Sequence, residues 1–311
     1  MKHAGSSEST ILSRVAEKVT IPSRSQLKLG IGDDCAIFRP RGGREDLLFT
    51  TDMLLEDAHF RRNTHSPQDI GYKALARGLS DVAAMSGEPR FCLLSLAVPR
   101  WADEPWVDRF YDGFLQLGRK TATPLAGGDL ARADRLACDV TVCGAVPRGA
   151  ALMRSGARPG DAIYVSGQLG GSALGLVTRK GRAWKRHLRP EPRLALGRFL
   201  RERLRASAAM DLSDGLSLDL NRMCIASRVS AEIEAPPLFP GASRDQSLHG
   251  GEDYELLFTL RPNRRPPADF EGLQLTRIGA ITMRRAATVL LDGKPLAPLG
   301  FDHFQNSYAD E

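Results

Sequence analysis

Apolar and polar positions alternate between strand-like and helix-like periods along the first half of the chain. The helix-like period predicts a helix at 67–85, because Ser66 is a good N-cap residue, Pro67 suits the first helical position and Asp69 completes a capping box. A second helix is predicted at 104–120, and strands are predicted at 34–38, 47–51, 91–98 and 136–146. This half is therefore expected to form a mixed sheet crossed by helices.

The same alternation starts again after the turn residues Pro147 and Gly149. Strands are predicted at 161–165, 208–212, 229–233, 254–260 and 278–282, and helices at 169–178, 190–205 and 215–227. A chain of 311 residues is about twice the usual domain length. We therefore expect two domains, residues 1–149 and 150–311, in a mixed α/β fold of the α+β type.

The composition, 42% hydrophobic and 26% charged, is typical of a folded globular chain. The longest apolar run, residues 91–98, is far shorter than the ~20 residues that a membrane-spanning helix requires. The N-terminal stretch has no signal-peptide pattern. Five cysteines are scattered without a C-x-x-C pair, which favours reduced thiols. These features predict a cytoplasmic protein with no membrane partner.

The net charge of +6 comes from one segment of the chain. Residues 179–205 contain eleven Lys and Arg against two Glu, which gives this basic segment +9 and leaves the other residues at −3. Leucines spaced through the segment predict that most of it is the polar face of an amphipathic helix. The alternative is an RNA-binding surface, but the segment lacks the aromatic residues and motifs of such surfaces, so we expect no nucleic-acid partner.

Aspartates recur at the ends of the predicted elements, and Asp81 lies inside a helix. The chain has no Walker A loop, no dinucleotide-binding glycine fingerprint and no H-E-x-x-H sequence, so the common nucleotide-binding and metalloprotease designs are excluded. Carboxylates without accompanying His or Cys clusters suit Mg²⁺ or Mn²⁺ rather than zinc. The acids concerned are Asp33, Asp34, Asp52, Asp81, Asp129, Asp211 and Asp214.

Each of these acids also has a purely structural interpretation. Asp33 and Asp34 suit a turn, Asp129 suits a turn with the glycines before it, and Asp214 suits a helix entry. Asp81 differs, because a carboxylate in a helix rich in Ala, Leu and Val needs a partner if it faces inward.

Glycine pairs are a second feature that suits phosphate binding. Gly127-Gly128, Gly170-Gly171 and Gly250-Gly251 allow backbone N–H groups to approach a phosphate closely, and the second pair lies where a helix is predicted to begin. Arg154 is a candidate phosphate clamp. Taken singly, each glycine pair is equally compatible with a tight turn, and Arg154 with a solvated side chain.

In this order and spacing, the segments resemble the thiamine-monophosphate kinase family of the aminoimidazole ribonucleotide synthetase-like superfamily. DLSDGL and GGEDYEL are the most specific parts of the resemblance, which spans nearly the whole chain. The matching stretches are GIGDDCAIF (30–38), TTDMLLEDAHF (50–60), YKALARGLSDVAAM (72–85), AGGDLAR (126–132), RSGARPGD (154–161), AMDLSDGLSLDL (209–220), GGEDYELLFT (250–259) and GFDHF (300–304).

The resemblance implies transfer of the γ-phosphoryl group of ATP to thiamine monophosphate, with several Mg²⁺ ions. It places metal binding at Asp34, Thr50, Thr51, Asp52, Asp81, Asp129, Asp211 and Asp214, of which Asp52, Asp129 and Asp214 are the predicted catalytic residues. It places ATP contacts at Tyr111, Gly128, Asp129, Arg154 and Ser213. It places thiamine monophosphate at His59, Glu252 and Phe301.

The implied reaction agrees with a site rich in acids. The acceptor phosphate is already ionised, so no base has to remove a proton from it, and catalysis consists of bringing two anions together while cations offset their repulsion. His59 is therefore predicted to contact the substrate rather than to transfer a proton. The alternative is a structural histidine beside Phe60.

The resemblance also implies a homodimer in which N-terminal sheets pair, while a C-terminal α/β sandwich covers the nucleotide cleft. The apolar run at 91–98 agrees with such pairing. Other ATP-dependent enzymes of the superfamily are disfavoured. Residues 1–29 lack the cysteine of selenide-activating relatives, residues 308–311 lack the final cysteine of hydrogenase-maturation relatives, and residues 57–60 and 250–256 match the thiamine rather than the purine branch.

Overall fold

The structure is a computed structural model that describes residues 7–22, 24–284 and 288–304. A 3₁₀ turn spans Arg154–Gly156, and a π-helical segment, Leu200–Leu204, directly follows α6. No helix in these ranges is long and apolar enough to cross a membrane. The helices are α1 (Glu8–Lys18), α2 (Pro67–Ala84), α3 (Glu104–Lys120), α4 (Gly171–Thr178), α5 (Gly181–Leu188), α6 (Leu194–Phe199), α7 (Leu216–Ser227) and α8 (Arg244–His249).

The first sheet has the strand order β1-β2-β3-β6-β4-β5. Its neighbouring strands are antiparallel except β4 and β5, which are parallel. Helix α2 packs on β3 and β6, and α3 packs on α2. The strands are β1 (Leu27–Leu29), β2 (Ala36–Phe38), β3 (Glu45–Leu55), β4 (Glu88–Val98), β5 (Leu125–Arg132) and β6 (Ala137–Pro147).

The second sheet has the order β14-β13-β9-β12-β7-β10-β8, with β11 beside β12. Only β9 and β13 are parallel among its described pairs. The first sheet ends at Pro147 and the second begins at Ala162, and the division at 149/150 stays a prediction. The strands are β7 (Ala162–Ser166), β8 (Ala208–Asp211), β9 (Ser230–Ile233), β10 (Leu256–Leu260), β11 (Asp269–Phe270), β12 (Leu273–Thr282), β13 (Val289–Leu291) and β14 (Lys294–Pro295).

Strand β10 shows how the second sheet is covered on both faces. All five of its residues are buried. Leu257 belongs to an apolar cluster with Leu220 of α7, whereas Phe258 belongs to a cluster with Leu196 of α6 and Leu200. Since successive side chains of a strand point to opposite faces, α6 and α7 lie on opposite sides of this sheet.

Helix α2 lies between the two halves of the molecule and is buried along most of its length. It contacts β3 and β6 on one side, and α6 and β8 on the other. The predicted start is confirmed, because the Ser66 hydroxyl accepts a hydrogen bond from the Asp69 N–H at 3.2 Å. Any side chain that α2 points inward therefore reaches the junction of the two halves.

Strand β5 was not predicted, because its residues are largely exposed and show no alternation. It is an edge strand, and Gly128 explains its close pairing with β4. A Cβ at this position would lie 1.8 Å from the Leu94 carbonyl oxygen, and the backbone has φ +154°. Gly128 is thus required by strand packing, as well as being a candidate phosphate contact.

The predicted start of the helix at 190–205 is wrong, because the helical stretch begins at Leu194 and continues to Leu204. Residues 190–193 carry two prolines and separate α5 from the shorter α6, and the chain then forms the π-helical segment. Much of the positive charge of the basic segment is engaged in ion pairs. Arg186 and Arg193 both bind Glu255, at 2.7 and 2.6 Å, and Arg189 binds Asp69 at 2.6 Å.

Candidate active site

A cavity of about 700 Å³ lies between the two halves of the chain and collects most of the predicted site residues. Its walls come from β3, α2, the start of β2, the end of β8 and the loop before β10. The predicted residues that line it are Asp34, Thr50, Thr51, Asp52, His59, Asp81, Arg154, Asp211, Ser213, Asp214, Glu252 and Phe301.

Three carboxylates that are distant in sequence converge in this cavity. Oxygen atoms of Asp34, Asp81 and Asp211 all lie within 4.8 Å of one another. The Asp81 carboxylate accepts from the Thr50 hydroxyl at 2.5 Å, and that of Asp211 accepts from the Ser80 hydroxyl at 2.7 Å. The inward-facing Asp81 thus has the partner that its position in an apolar helix demands. We call these three residues the acid cluster.

Ionisation of the acid cluster is strongly opposed in the absence of a cation. Burial first, and then the neighbouring carboxylates, raise the pKa of Asp81 and of Asp211 well above the ordinary range. Oδ2 of Asp34 is buried and has no hydrogen-bond partner among the described residues. Orphaned carboxylate oxygens from converging acids are the donor set that a hard divalent cation prefers, so these residues fit Mg²⁺.

Arginines compensate part of this negative charge. Arg154 contacts Asp34, and Arg77 donates to Oδ1 of Asp52 at 3.1 Å. Arg222 similarly contacts Asp214. Eight carboxylates but three arginines are among the described residues that line the cavity, so carboxylates with a raised pKa can ionise when a cation binds. The predicted phosphate clamp, Arg154, holds a carboxylate in this structure.

His59, which also lines the cavity, is held in one tautomer. Its Nδ1 accepts a hydrogen bond from the Leu55 N–H at 3.0 Å, so Nε2 carries the proton of the neutral ring. Burial and the nearby Arg77 lower the pKa of His59 to about 3. A histidine that stays neutral is a hydrogen-bond donor rather than a general base at physiological pH.

Glu252 is fixed by a buried lysine. Its carboxylate lies 2.7 Å from Nζ of Lys73, a residue that is 1% exposed, and 3.4 Å from Nδ1 of His187. Burial opposes ionisation, but the charge of Lys73 prevails and lowers the pKa of Glu252 to about 2. The carboxylate is therefore charged and positioned before any ligand binds.

The three most distinctive sequence stretches meet at one wall of the cavity. In the GGEDYEL stretch, the N–H groups of Glu252 and Tyr254 donate to the carbonyl oxygens of Ser213 and Leu212, at 2.7 and 2.9 Å. The N–H of Phe301, in the terminal GFDHF stretch, donates to the Asp214 carbonyl oxygen at 3.0 Å. Predicted contacts to metal, ATP and thiamine monophosphate are thus brought together by backbone hydrogen bonds.

Three predicted site residues do not line the cavity of this chain: Tyr111, Gly128 and Asp129. Tyr111 lies on α3, and the other two lie on the exposed edge strand β5. The phosphate site suggested by Gly170-Gly171 is also not available. The Asp253 carboxylate accepts from the N–H groups of Gly170 and Ser172, at 2.5 and 3.0 Å, and occupies that helix N-terminus.

Sequence reasoning missed four residues that shape the cavity: Lys73, Arg77, His187 and Arg222. Helix α2 carries charged side chains at intervals of four residues, at Lys73, Arg77 and Asp81, which therefore share one helix face. The signal that singled out Asp81, a charge within a buried helix, applies equally to Lys73 and Arg77. No comparable signal marks Arg222 or His187.

Each half of the chain matches a known protein family domain. The family description AIR synthase related protein, N-terminal domain, matches residues 32–146, and its C-terminal counterpart matches residues 158–291. Thiamine-monophosphate kinase from Escherichia coli (strain K12) is 38% identical, over 96% of this chain and 98% of that protein. The Bacillus subtilis (strain 168) enzyme is 36% identical, over 90% and 95%. The chain belongs to the thiamine-monophosphate kinase family.

Solved structures of the thiamine-monophosphate kinase family have the same fold. AaThiL complexed with AMPPCP and TMP superposes with a TM-score of 0.84 at 31% identity, over 96% of this chain and 97% of that chain. The enzyme from Stenotrophomonas maltophilia K279a gives 0.75 at 38% identity, over 91% and 96%. The predicted mixed α/β fold is confirmed. The hydrogenase maturation protein HypE, at 19% identity and a TM-score of 0.65, shares the fold alone.

Proposed function

We propose that this protein transfers the γ-phosphoryl group of ATP to thiamine monophosphate, giving thiamine diphosphate and ADP. The observation that carries the proposal is the convergence of Asp34, Asp81 and Asp211 in a cavity that also contains His59 and Glu252. Membership of the kinase family and the likeness to AaThiL complexed with AMPPCP and TMP support the same reaction.

The residues of the cavity suit two anionic reactants. The acceptor phosphate is itself the nucleophile, so the site needs orientation and charge compensation rather than a base. His59 donates from Nε2 to the substrate, and the preformed carboxylate of Glu252 binds the cationic thiamine portion. Phe301 contributes an aromatic face beside His303, whose ring centroid lies 4.7 Å away.

We propose that the acid cluster, with Thr50, Thr51, Asp52 and Asp214, holds Mg²⁺. When bound, Mg²⁺ neutralises phosphate oxygens and lowers the repulsion between donor and acceptor. Ser213 and Arg154 adjoin the same acids and are proposed to contact ATP. Because Arg154 already contacts Asp34, its guanidinium must bind Asp34 and the nucleotide phosphates at the same time.

The activity test is formation of thiamine diphosphate from ATP and thiamine monophosphate in Mg²⁺, measured by chromatography. Asp52→Asn and Asp214→Asn are expected to cut turnover at least ~100-fold while the far-UV circular dichroism stays unchanged. Arg90→Met, which alters an exposed ion pair with Glu45, is the matched surface control. Absence of product from the wild-type protein with either Mg²⁺ or Mn²⁺ would refute the assignment.

We also propose a homodimer, to which Asp129, Gly128 and Tyr111 contribute from a second copy of the chain. These residues lie outside the cavity, and the first sheet leaves Met53, Leu93 and Leu130 exposed at 56%, 38% and 62%. In the strand register, Asp129 stands opposite Ser95, so it belongs to this open part of the sheet. An exposed apolar surface of this kind favours association.

Subunit mixing tests this arrangement. Asp129→Asn and Asp211→Asn should each be inactive alone, but random re-association places one intact site in every mixed dimer and restores about a quarter of wild-type activity. No recovery on mixing, together with a monomer by light scattering, would contradict it.

Cytoplasmic location is likewise a proposal, supported by the five cysteines, all buried and unpaired in the structure.

A further inference from the structure

Arg77 has more hydrogen-bond donors than the cavity provides acceptors. It lines the cavity from helix α2, and its side chain is 13% exposed. Nη2 donates to Asp52 at 3.1 Å. Nε and Nη1 are buried and find no acceptor within the part of the chain that the structure describes. Because buried donors without acceptors cost free energy, this arrangement points to a ligand that completes it.

The guanidinium lies close to residues of both proposed subsites. It contacts Asp52, a proposed metal ligand, and it is the strongest neighbouring charge on His59, a proposed substrate contact. Burial opposes its charge, but Tyr254, Asp52 and Glu252 together keep the pKa of Arg77 above its ordinary value. A permanent cation thus lies near both the proposed metal site and the proposed thiamine site.

His59 adds a second unused donor at the same place. Its Nε2 is buried and has no partner among the described side chains. A group that satisfies both residues must offer several acceptor atoms and negative charge. A phosphate monoester does so, because its separate oxygens can accept from one edge of the planar arginine fork and from Nε2 of His59.

We propose that Arg77 binds the acceptor phosphate of thiamine monophosphate, with one of its two unused nitrogens donating to a phosphate oxygen. This inference rests on the proposed function. It makes Arg77 a substrate-contacting residue that selects phosphorylated thiamine over thiamine and directs the acceptor oxygen toward the acid cluster. The competing interpretation is that Arg77 merely neutralises Asp52.

Calorimetric titration with thiamine monophosphate and with thiamine, both in Mg²⁺ and AMPPCP, separates the two interpretations. The wild-type protein should prefer the phosphate ester. Arg77→Met should weaken binding of thiamine monophosphate about 10- to 100-fold and leave thiamine affinity unchanged, so that the preference collapses. Arg77→Lys, which retains a charge beside Asp52 but not the fork, should lose part of the preference.

Arg222→Met is the matched control, because Arg222 also pairs with a cavity acid, Asp214, but is not among the described residues with a buried unpartnered nitrogen. It should keep the preference for the phosphate ester. If Arg77→Met does so as well, Arg77 is only a partner of Asp52. If the Arg77→Met variant does not fold, the Lys variant gives the same comparison. A crystal of the wild-type protein with thiamine monophosphate adds a direct measurement, since an Arg77 nitrogen must lie within 3.2 Å of a phosphate oxygen.

The outcomes distinguish this inference from the proposed function. Wild-type protein that forms thiamine diphosphate while Arg77→Met keeps both its preference and its Michaelis constant for thiamine monophosphate overturns the role of Arg77 alone. Wild-type protein that forms product but shows no preference between ester and alcohol likewise overturns the role of Arg77 alone, whereas wild-type protein that forms no product overturns both proposals.

Discussion

Replacing Asp211 by Asn should stabilise the protein in the absence of divalent cations and abolish its stabilisation by Mg²⁺. Asp211 lies at the end of β8 and shares the acid cluster with Asp34 and Asp81. Asn keeps the acceptor oxygen that bonds the Ser80 hydroxyl at 2.7 Å. The substitution therefore removes charge while retaining shape and the hydrogen bond.

The magnitude follows from the separation of the carboxylates. Two unit charges 4.8 Å apart repel by about 3.5 kcal/mol at an effective dielectric constant of about 20. Protonation already relieves part of this repulsion, because the pKa of Asp211 is raised by burial and by Asp34. A gain of about 1–3 kcal/mol in the free energy of unfolding in EDTA is therefore expected at pH 8. Free Mg²⁺ at 100 times its Kd would add about 2.7 kcal/mol to the free energy of unfolding of the wild-type protein, and the variant should not show this gain.

Urea denaturation in EDTA and in Mg²⁺ measures both effects. Asp46→Asn is the matched control, since Asp46 is equally buried but is bound to Arg39 at 2.6 Å and accepts from the Gly149 N–H. There, the same substitution should lower the free energy of unfolding by about 1–3 kcal/mol in both solutions. The reasoning would be wrong if Asp211→Asn were less stable than wild type in EDTA, or if Mg²⁺ still stabilised it.

The metal-free protein should lose stability as the pH rises from about 4 to 7. Burial, with an adjacent aspartate, raises the pKa of Asp33 and of Asp219 to about 7, so the native state holds more protons than the unfolded chain, and Asp33→Asn should flatten the measured slope. Lys73→Met should raise the Michaelis constant for thiamine monophosphate about tenfold with that for ATP unchanged, because Glu252 loses its buried partner; equal changes in both constants would contradict this. Gly71→Ala should cost about 1–3 kcal/mol in urea denaturation, since a Cβ there would lie 2.0 Å from the Phe110 carbonyl oxygen.

Local sequence patterns located the elements that are buried or capped. Helix α2 was predicted to within one residue, since Ser66 and Pro67 mark its start and apolar residues continue along its length. Strand β5 was missed because an exposed edge strand needs no alternation of apolar and polar side chains. The helix predicted at 190–205 was placed too early, because Pro190 was taken as its start, whereas a second proline at 192 follows and α6 begins at Leu194.

The family and the acids of the cavity were also accessible from sequence. Twelve of the fifteen predicted site residues line one cavity, although their individual roles stay predictions. Their partners were not accessible, because pairs such as Arg154 with Asp34 or Lys73 with Glu252 depend on the packing of distant segments. Local patterns contain no information on which cation reaches which acid.

The shared helix face of Lys73, Arg77 and Asp81 sets a fixed length scale for the reaction. Eight residues of α-helix span about 12 Å, so the helix backbone fixes the interval between Lys73, which binds Glu252 of the proposed thiamine site, and Asp81 of the proposed metal site. Surrounding loops can open for exchange of reactants without altering that interval. Deleting one residue from the middle of the helix would instead rotate one end by about 100° relative to the other, and no adjustment elsewhere in the chain would realign them.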